Sequence, residues 1–303
     1  MTENEFLLQD RITKIKSVIS DYGEENFYIS FSGGKDSTAL SFLVDMAIPH
    51  NKIPRVYADT GIELKIVRDF VYKLKESDTR IEIIKPCTNI KDMLEREGYP
   101  FKSKYHSHMV DIFQRNGIEK SETVQAYLNL KIPKSGVKKF SEHLCPKILK
   151  YQFYDGAPFK ISSKCCDKLK KEPLKKYMKE TGRKYSITGV IASEGGQRES
   201  AKCLAFSGKK LKAFQPLAPT TKQWVNWLIH EYSIDICDIY KPPYNFKRTG
   251  CKGCPYNPTL GKDLETLKKF FPDERKQCEL IWGKVYEEYR RIGYRLPQRK
   301  RGK

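Results

Sequence analysis

Ser32-Gly33-Gly34-Lys35-Asp36-Ser37 follows the β-rich run Asn26-Phe27-Tyr28-Ile29-Ser30-Phe31 and opens a mostly apolar stretch, Thr38 to Ala47, that reads as a helix. Two adjacent glycines at a strand end let the backbone turn tightly and approach an anion with no Cβ in the way. The N–H groups and positive dipole end of the following helix then face that anion. Lys35 adds a mobile ammonium, and Ser32, Ser37 and Thr38 bring hydroxyl donors. The spacing is not G-x-x-x-x-G-K-[ST], so transfer of a γ-phosphate is not implied. The plain alternative is a glycine turn before an ordinary helix.

Working outward, apolar residues at helical spacing over 5–21 (Phe6, Leu7, Ile12, Ile15, Val18, Ile19) predict an amphipathic opening helix. A second strand at 54–58 ends on Asp59-Thr60-Gly61, a helix follows at 63–75, and further strands are expected at 80–85 and 184–189. Strands alternating with helices imply right-handed crossovers, hence an α/β fold with a parallel, doubly wound sheet. Residues 89–180 read as a mostly helical polar insertion with basic clusters at 131–139 and 164–176. A hairpin is expected over 202–216, turning at Ser207-Gly208, then a helix at 220–232 and a final helical stretch at 262–293. The resulting division is an N-terminal helix (1–24), a nucleotide-binding α/β domain (25–240) and a C-terminal segment (241–303). That last segment carries a Cys-x-x-Cys loop, helices and a basic tail from Arg295, read as a solvated, frayed end.

Composition narrows the class. The 303 residues are 39% hydrophobic and 12% aromatic, enough for a packed core. No apolar run approaches the roughly 18 residues that span a bilayer. The acidic start Met1-Thr2-Glu3-Asn4-Glu5 lacks the features of a signal peptide, so a cytoplasmic protein is expected, without a membrane partner. A net charge of +20 would attract a polyanion such as nucleic acid, although a lysine-rich habit favouring solubility gives the same number.

Nine cysteines, an odd count without a secretion signal, argue against a disulfide framework. Cys165-Cys166 and Cys251-x-x-Cys254 are the close pairs, and four thiolates could hold zinc or a cubane iron–sulfur cluster. Spacing alone favours zinc; a redox pair or inert thiols are the other readings. Cys87, Cys145, Cys203, Cys237 and Cys278 stand alone and read as packing residues. Asp59 lies beyond a strand end, where open α/β sheets bind ligands, and could hold Mg2+; an Asx turn or helix cap is the alternative. His106 and His108 are read as solvated rather than as a metal pair.

The Ser32–Ser37 pattern resembles the signature of the PP-loop ATP pyrophosphatases, which break ATP between its α and β phosphates. More narrowly, roughly residues 25–258 resemble the phosphoadenosine phosphosulfate reductase family of that superfamily. The resemblance rests on Ser32–Ser37, Asp59-Thr60-Gly61, Gly98–Lys104, Cys165-Cys166, Gly189–Arg198, Pro216-Leu217 and Gly250–Pro255. It implies ATP and Mg2+ as cofactors, a phosphate grip by Arg198, and Cys165, Cys166, Cys251 and Cys254 as ligands of a [4Fe-4S] cluster, displacing zinc as first choice.

Three departures redirect the function. Lys35 and both glycines are intact, whereas reductases of the family carry a degraded loop. The reductases' C-terminal nucleophilic cysteine motif has no counterpart; only Cys278 follows Cys254. The family's early arginine in Gly-x-Arg is replaced, Val190 and Ile191 following Gly189. The expectation is an ATP-dependent sulfurtransferase acting on nucleic acid, DNA phosphorothioation ahead of tRNA. Lys35, Asp36, Asp59 and Arg198 are its candidate catalytic residues, and Ser32 to Thr38 with Asp59, Thr60 and Gly61 its nucleotide site. A sulfur donor such as a cysteine desulfurase, and a homodimer or partner-protein complex, complete the expectation. A sulfonucleotide reductase and a non-catalytic nucleotide-binding subunit with a structural metal are the alternatives.

Overall fold

The computed structural model describes residues 1–130, 144–195 and 198–298. In chain order the regular elements are α1 (Glu3–Tyr22), β1 (Phe27–Phe31), α2 (Lys35–Ala47), β2 (Arg55–Ala58), α3 (Lys65–Ser77), β3 (Ile81–Ile84), α4 (Ile90–Glu97), α5 (Lys104–Asn116) and α6 (Glu122–Tyr127). They continue with α7 (Glu172–Thr181), β4 (Tyr185–Ile187), β5 (Leu204–Ser207), β6 (Lys210–Phe214), α8 (Lys222–Glu231), α9 (Leu260–Phe270) and α10 (Pro272–Ile292). The chain divides into two compact units, residues 1–86 with 172–249 and residues 87–171 with 250–303.

The first unit is built on a six-stranded sheet in the order β3-β2-β1-β4-β6-β5. Every pairing is parallel except that of β5 with β6, the hairpin legible in the sequence. Helices cover both faces. On one, Leu8, Ile12, Ile15 and Ile19 of α1 join Leu40, Leu43 and Val44 of α2, Trp224 and Leu228 of α8, and Phe27 and Ile29 of β1 in the main core. Farther along that same face Val71 of α3 packs with Phe31, Tyr57 and Ile81, while on the other face Tyr177 of α7 packs with Tyr28 and Val56. Helix α1 therefore belongs to this core rather than standing apart from it. Its start is fixed by a capping box, the Thr2 hydroxyl accepting from the Glu5 amide while the Glu5 carboxylate accepts from the Thr2 amide.

Strands β1, β2 and β3 run outward in one direction, while β4 pairs with the other side of β1. The connection order thus reverses between β1 and β4, and open α/β sheets bind ligands at the carboxyl ends of strands flanking such a reversal.

The second unit is helical with long irregular stretches, and its helices α4 to α6 are shorter than expected for the insertion. Tyr99 bridges to Ile161 in parallel, its amide donating to the Lys160 carbonyl at 2.8 Å. The expected single C-terminal helix is two, α9 and α10, because Pro272 has no N–H and takes the first position of a new helix. The tail is not wholly solvated: Leu296 is buried and the Arg295 guanidinium donates to the Pro255 carbonyl. The basic stretch 131–139 and the tail beyond 298 lie outside the described residues.

Candidate functional site

The loop between β1 and α2 is held by its own side chains. Ser37 Oγ donates to the Gly34 carbonyl at 2.8 Å, accepts from the Ser32 amide at 3.2 Å and lies 3.0 Å from Ser32 Oγ. Thr38 Oγ1 donates to the same carbonyl at 3.1 Å. The hydroxyls of Ser37 and Thr38, expected to face phosphate, close the loop on itself instead. Gly33 is sterically required. Gly33 has φ +67°, and a Cβ there would come 2.6 Å from Val71 Cγ2. At Gly34 a Cβ would fill space bounded by Thr249 Oγ1 at 2.9 Å and by Ser32 Oγ and Tyr240 Oη, each at 3.1 Å.

A cleft of about 200 Å³ opens here, between the ends of β1 and β4. Ser32, Gly34, Lys35, Asp36 and Ser37 form one side and Gly189 and Val190 the other, with Glu194, Arg198, Tyr240, Lys247, Arg248 and Thr249 completing the wall. Gly189 lets the walls meet: a Cβ on it would sit 3.0 Å from the Asp36 carbonyl oxygen.

Four cations, Lys35, Arg198, Lys247 and Arg248, face two carboxylates. Glu194 is the better partnered, pairing with Arg198, with Arg248 at 3.0 Å and with Lys222 at 3.1 Å. Asp36 differs. Its Oδ1 is buried with no hydrogen-bond partner among the described residues, and burial pushes its pKa up against the pull of Lys35, Arg198, Lys222 and Arg248. A buried, unpaired carboxylate oxygen beside a cationic anion site suits a hard divalent cation accompanying a phosphate chain, so the residues present fit Mg2+. The Lys35 ammonium rests on Asn226 Oδ1 at 3.0 Å, a neutral partner that an incoming phosphate can replace.

The Asp59-Thr60-Gly61 segment follows β2, one strand away from the reversal, and none of the three lines the cleft. Asp59 Oδ1 accepts from the Gly61 amide at 3.1 Å and Oδ2 from the Tyr72 hydroxyl at 3.0 Å, while Thr60 is bound to Glu63. Asp59 is thus the acceptor of an Asx turn, the alternative weighed above. Arg198 lines the cleft as the resemblance implies; residues 196–197 of that motif lie outside the described residues. Sequence reasoning gave no role to Tyr240, Lys247, Arg248 and Thr249. The available signal was the basic pair Lys247-Arg248 immediately before the Gly250-Cys251 turn.

All four paired cysteines belong to the second unit. Cys165 donates to the sulfur of Cys166, which raises the pKa of Cys165 and lowers that of Cys166, and Lys104 and Lys170 lower the latter further. Cys251 and Cys254 push Cys165 up as well, and Cys254 is itself driven to about 12 by burial and by Cys251. The four thiols therefore share one electrostatic neighbourhood. The described side chains nonetheless form no group of three or more donors arranged to hold a metal ion.

Elsewhere, Cys145, Cys237 and Cys278 are buried as expected, but Cys87 is exposed. His106 is not solvated. It is fully buried in α5, with Nδ1 2.8 Å from the Tyr127 hydroxyl and Nε2 2.8 Å from Gln152 Oε1, and burial lowers its pKa to about 4. His108, two residues on, is exposed, so the two cannot form a pair on one helical face. Among the described residues no helix is long and apolar enough to cross a membrane.

A mostly parallel, doubly wound sheet with a glycine-turned, cation-lined cleft at its reversal point is an α/β fold of the PP-loop type. The profile of the phosphoadenosine phosphosulfate reductase domain matches residues 26–129 and 112–257, well over half of the sequence, and the chain belongs to that family. An uncharacterized protein of Methanocaldococcus jannaschii is 26% identical over 302 residues, covering 94% of this chain; the chain spans 55% of that relative's length. Among solved structures, the phosphoadenylyl-sulfate reductase of Candida auris is similar at 13% identity and a TM-score of 0.42, covering 80% of this chain and 95% of the reductase. The U34-tRNA thiolase of Methanococcus maripaludis, solved with its [4Fe-4S] cluster, is similar at 15% identity and a TM-score of 0.41, covering 96% and 80% respectively.

Proposed function

We propose that this chain is an ATP pyrophosphatase that activates an oxygen on a nucleic-acid substrate by adenylylation and gives up that position to sulfur. The observation that carries the reading is Asp36, with its unpaired buried oxygen beside Lys35 in a cleft ringed by Arg198, Lys247 and Arg248. Lys35 and the arginines would hold the triphosphate, and Asp36 would hold the Mg2+ that neutralises the departing pyrophosphate. The acceptor oxygen attacks the α-phosphorus, the bond to the β-phosphate oxygen breaks, and pyrophosphate leaves. A persulfide sulfur then attacks the acceptor and displaces AMP, and an external thiol reduces the resulting disulfide to release the thiolated acceptor.

Cys165, Cys166, Cys251 and Cys254 are the proposed ligands of a [4Fe-4S] cluster, which would supply a thiophilic anchor for the incoming sulfur. A four-iron core separates its thiolates more widely than a single zinc ion does. The four thiols interact with one another, and the family resemblance, rather than their spacing, favours the cluster over zinc. A cysteine desulfurase would serve as donor. The net charge of +20 favours a nucleic-acid acceptor, and the family resemblance puts DNA ahead of tRNA.

Against sulfonucleotide reduction stands Cys278, the one cysteine after Cys254. It is fully buried, and burial pushes its thiol up to about 12. A thiol so placed is a poor nucleophile.

The test is pyrophosphate release from ATP and Mg2+ with duplex DNA or tRNA as acceptor, followed by mass spectrometry of the digested nucleic acid for sulfur. Lys35→Ala is expected to slow release by about 100-fold or more. An unchanged rate removes the proposal, and ATP binding with no release by the wild type points to a non-catalytic subunit.

A further inference from the structure

Within the second unit, the backbone of Cys251-Lys252-Gly253-Cys254-Pro255 is gripped along one side by a single helix. The Trp282 indole N–H donates to the Lys252 carbonyl at 2.9 Å, the Tyr286 hydroxyl to the Gly253 carbonyl, and the Tyr289 hydroxyl to the Pro255 carbonyl at 3.0 Å. These donors stand at i, i+4 and i+7 on α10 and so project from one face. All three side chains are essentially fully buried.

The same face grips the loop's side chains. Lys252, itself buried, donates through Nζ to Gln277 Oε1 at 2.7 Å and lies 3.7 Å from Glu274. Gly253, at φ +60°, sits so close that a Cβ on it would be 2.7 Å from Cys278 Sγ. Cys278 thus has a position in the molecule: it is the floor on which the loop lies. Buried tyrosines and tryptophans need a hydrogen-bond partner somewhere. Here three of them find it within four consecutive residues of one loop.

We propose that Trp282, Tyr286 and Tyr289 are positioning residues that preset the Cys251 and Cys254 thiols for a thiophilic metal centre. This rests on the reading of those cysteines as ligands. Groups that orient metal ligands from behind change metal affinity by about 10–100-fold when removed. A loop whose carbonyls are already fixed needs no ordering when metal arrives.

Two measurements on metal-free protein test it, with Tyr286→Phe as the main variant and Tyr289→Phe as the substitute should it fail to fold. Leu280→Ala, on the same helix at an 85% exposed position, is the control. The first is hydrogen exchange at the Cys254 amide, which closes the turn onto the Cys251 carbonyl at 3.2 Å. Exchange is expected to rise at least about 10-fold in Tyr286→Phe and to stay unchanged in the control; equal exchange in wild type and variant overturns the clamp. The second is Co2+ titration followed by the thiolate-to-cobalt absorption. Affinity is expected to fall about 10–100-fold with a displaced band; identical affinity and spectrum also overturn the proposal. A wild type that binds neither cobalt nor iron removes the ligand assignment, and the exchange result still decides the clamp.

Discussion

Asp36 combines two costs that a bound cation would offset: an oxygen buried without a partner and a charge held out of water. Its pKa is raised by folding, so the ionised form opposes stability at neutral pH, and that opposition fades as pH falls through the raised value. Asp36→Asn is therefore expected to raise the melting temperature of the apoprotein while reducing Mg2+-dependent pyrophosphate release by about 100-fold or more. Calorimetry and the release assay check the two halves, and a destabilised variant would show that the carboxylate already has a partner. His106 carries the opposite sign. Folding lowers its pKa from 6.5 to about 4, so the unfolded chain binds the extra proton first and stability is lost as pH falls from about 6.5 toward 4. The shift corresponds to about 3 kcal/mol. His106→Gln should flatten this part of the pH–stability profile in calorimetry, and an unchanged slope would assign the acid sensitivity to other groups. Neither behaviour was legible in the sequence. Asp36 and Asp59 each sit just beyond a strand, and only the strand order shows that one faces the reversal while the other caps a turn.

At the level of elements, the sequence was most informative where periodicity and glycine act together. The β1–loop–α2 unit was legible because a five-residue apolar strand, two glycines and an apolar helix leave little alternative. The division of hydroxyls between phosphate and loop was hidden, because Ser and Thr at a helix start serve either purpose. The structure gives Ser37 to the loop, where its 5%-exposed hydroxyl joins the strand end to the first turn of α2. Ser37→Ala is expected to cost about 1–2 kcal/mol, since it leaves the Ser32 amide without its Ser37 partner. Pyrophosphate release should weaken through a higher KM for ATP rather than vanish, because no proposed phosphate ligand is removed. A loss as complete as that of Lys35→Ala would mean the hydroxyl contacts the nucleotide directly. Helices α9 and α10 were merged in the sequence reading because their apolar spacing runs on across Pro272, and a proline at a helix start leaves that spacing undisturbed.

Across the whole chain, two compact units are each assembled from two separated stretches of sequence, and no local signal announces that. Residues 87–171 look like an insertion into one domain until 250–303 is seen to pack with them, which is how two cysteine pairs 85 residues apart come to share a neighbourhood. Net charge, by contrast, is fully legible: the surplus of 20 positive charges needs no fold to be counted. Its placement does need one. On α7 of the first unit, Lys175, Lys176 and Lys179 are exposed while Pro173 and Tyr177 are buried, so the helix turns a basic face to solvent. Lys176 is 3.7 Å from Glu180, whereas Lys175 and Lys179 form no ion pair among the described residues. A solvated lysine face and a nucleic-acid track look alike in a structure but differ in salt dependence. Each phosphate neutralised releases condensed counterions and adds about 0.9 to the slope of log affinity against log salt on duplex DNA. If α7 lies on the backbone, Lys175→Glu with Lys179→Glu should lower that slope by about 2 and weaken binding at every sequence alike. At saturating nucleic acid the rate of pyrophosphate release should be untouched, because neither lysine lines the cleft. A slope identical to wild type would make the face a device for solubility and move the search for the acceptor to another surface.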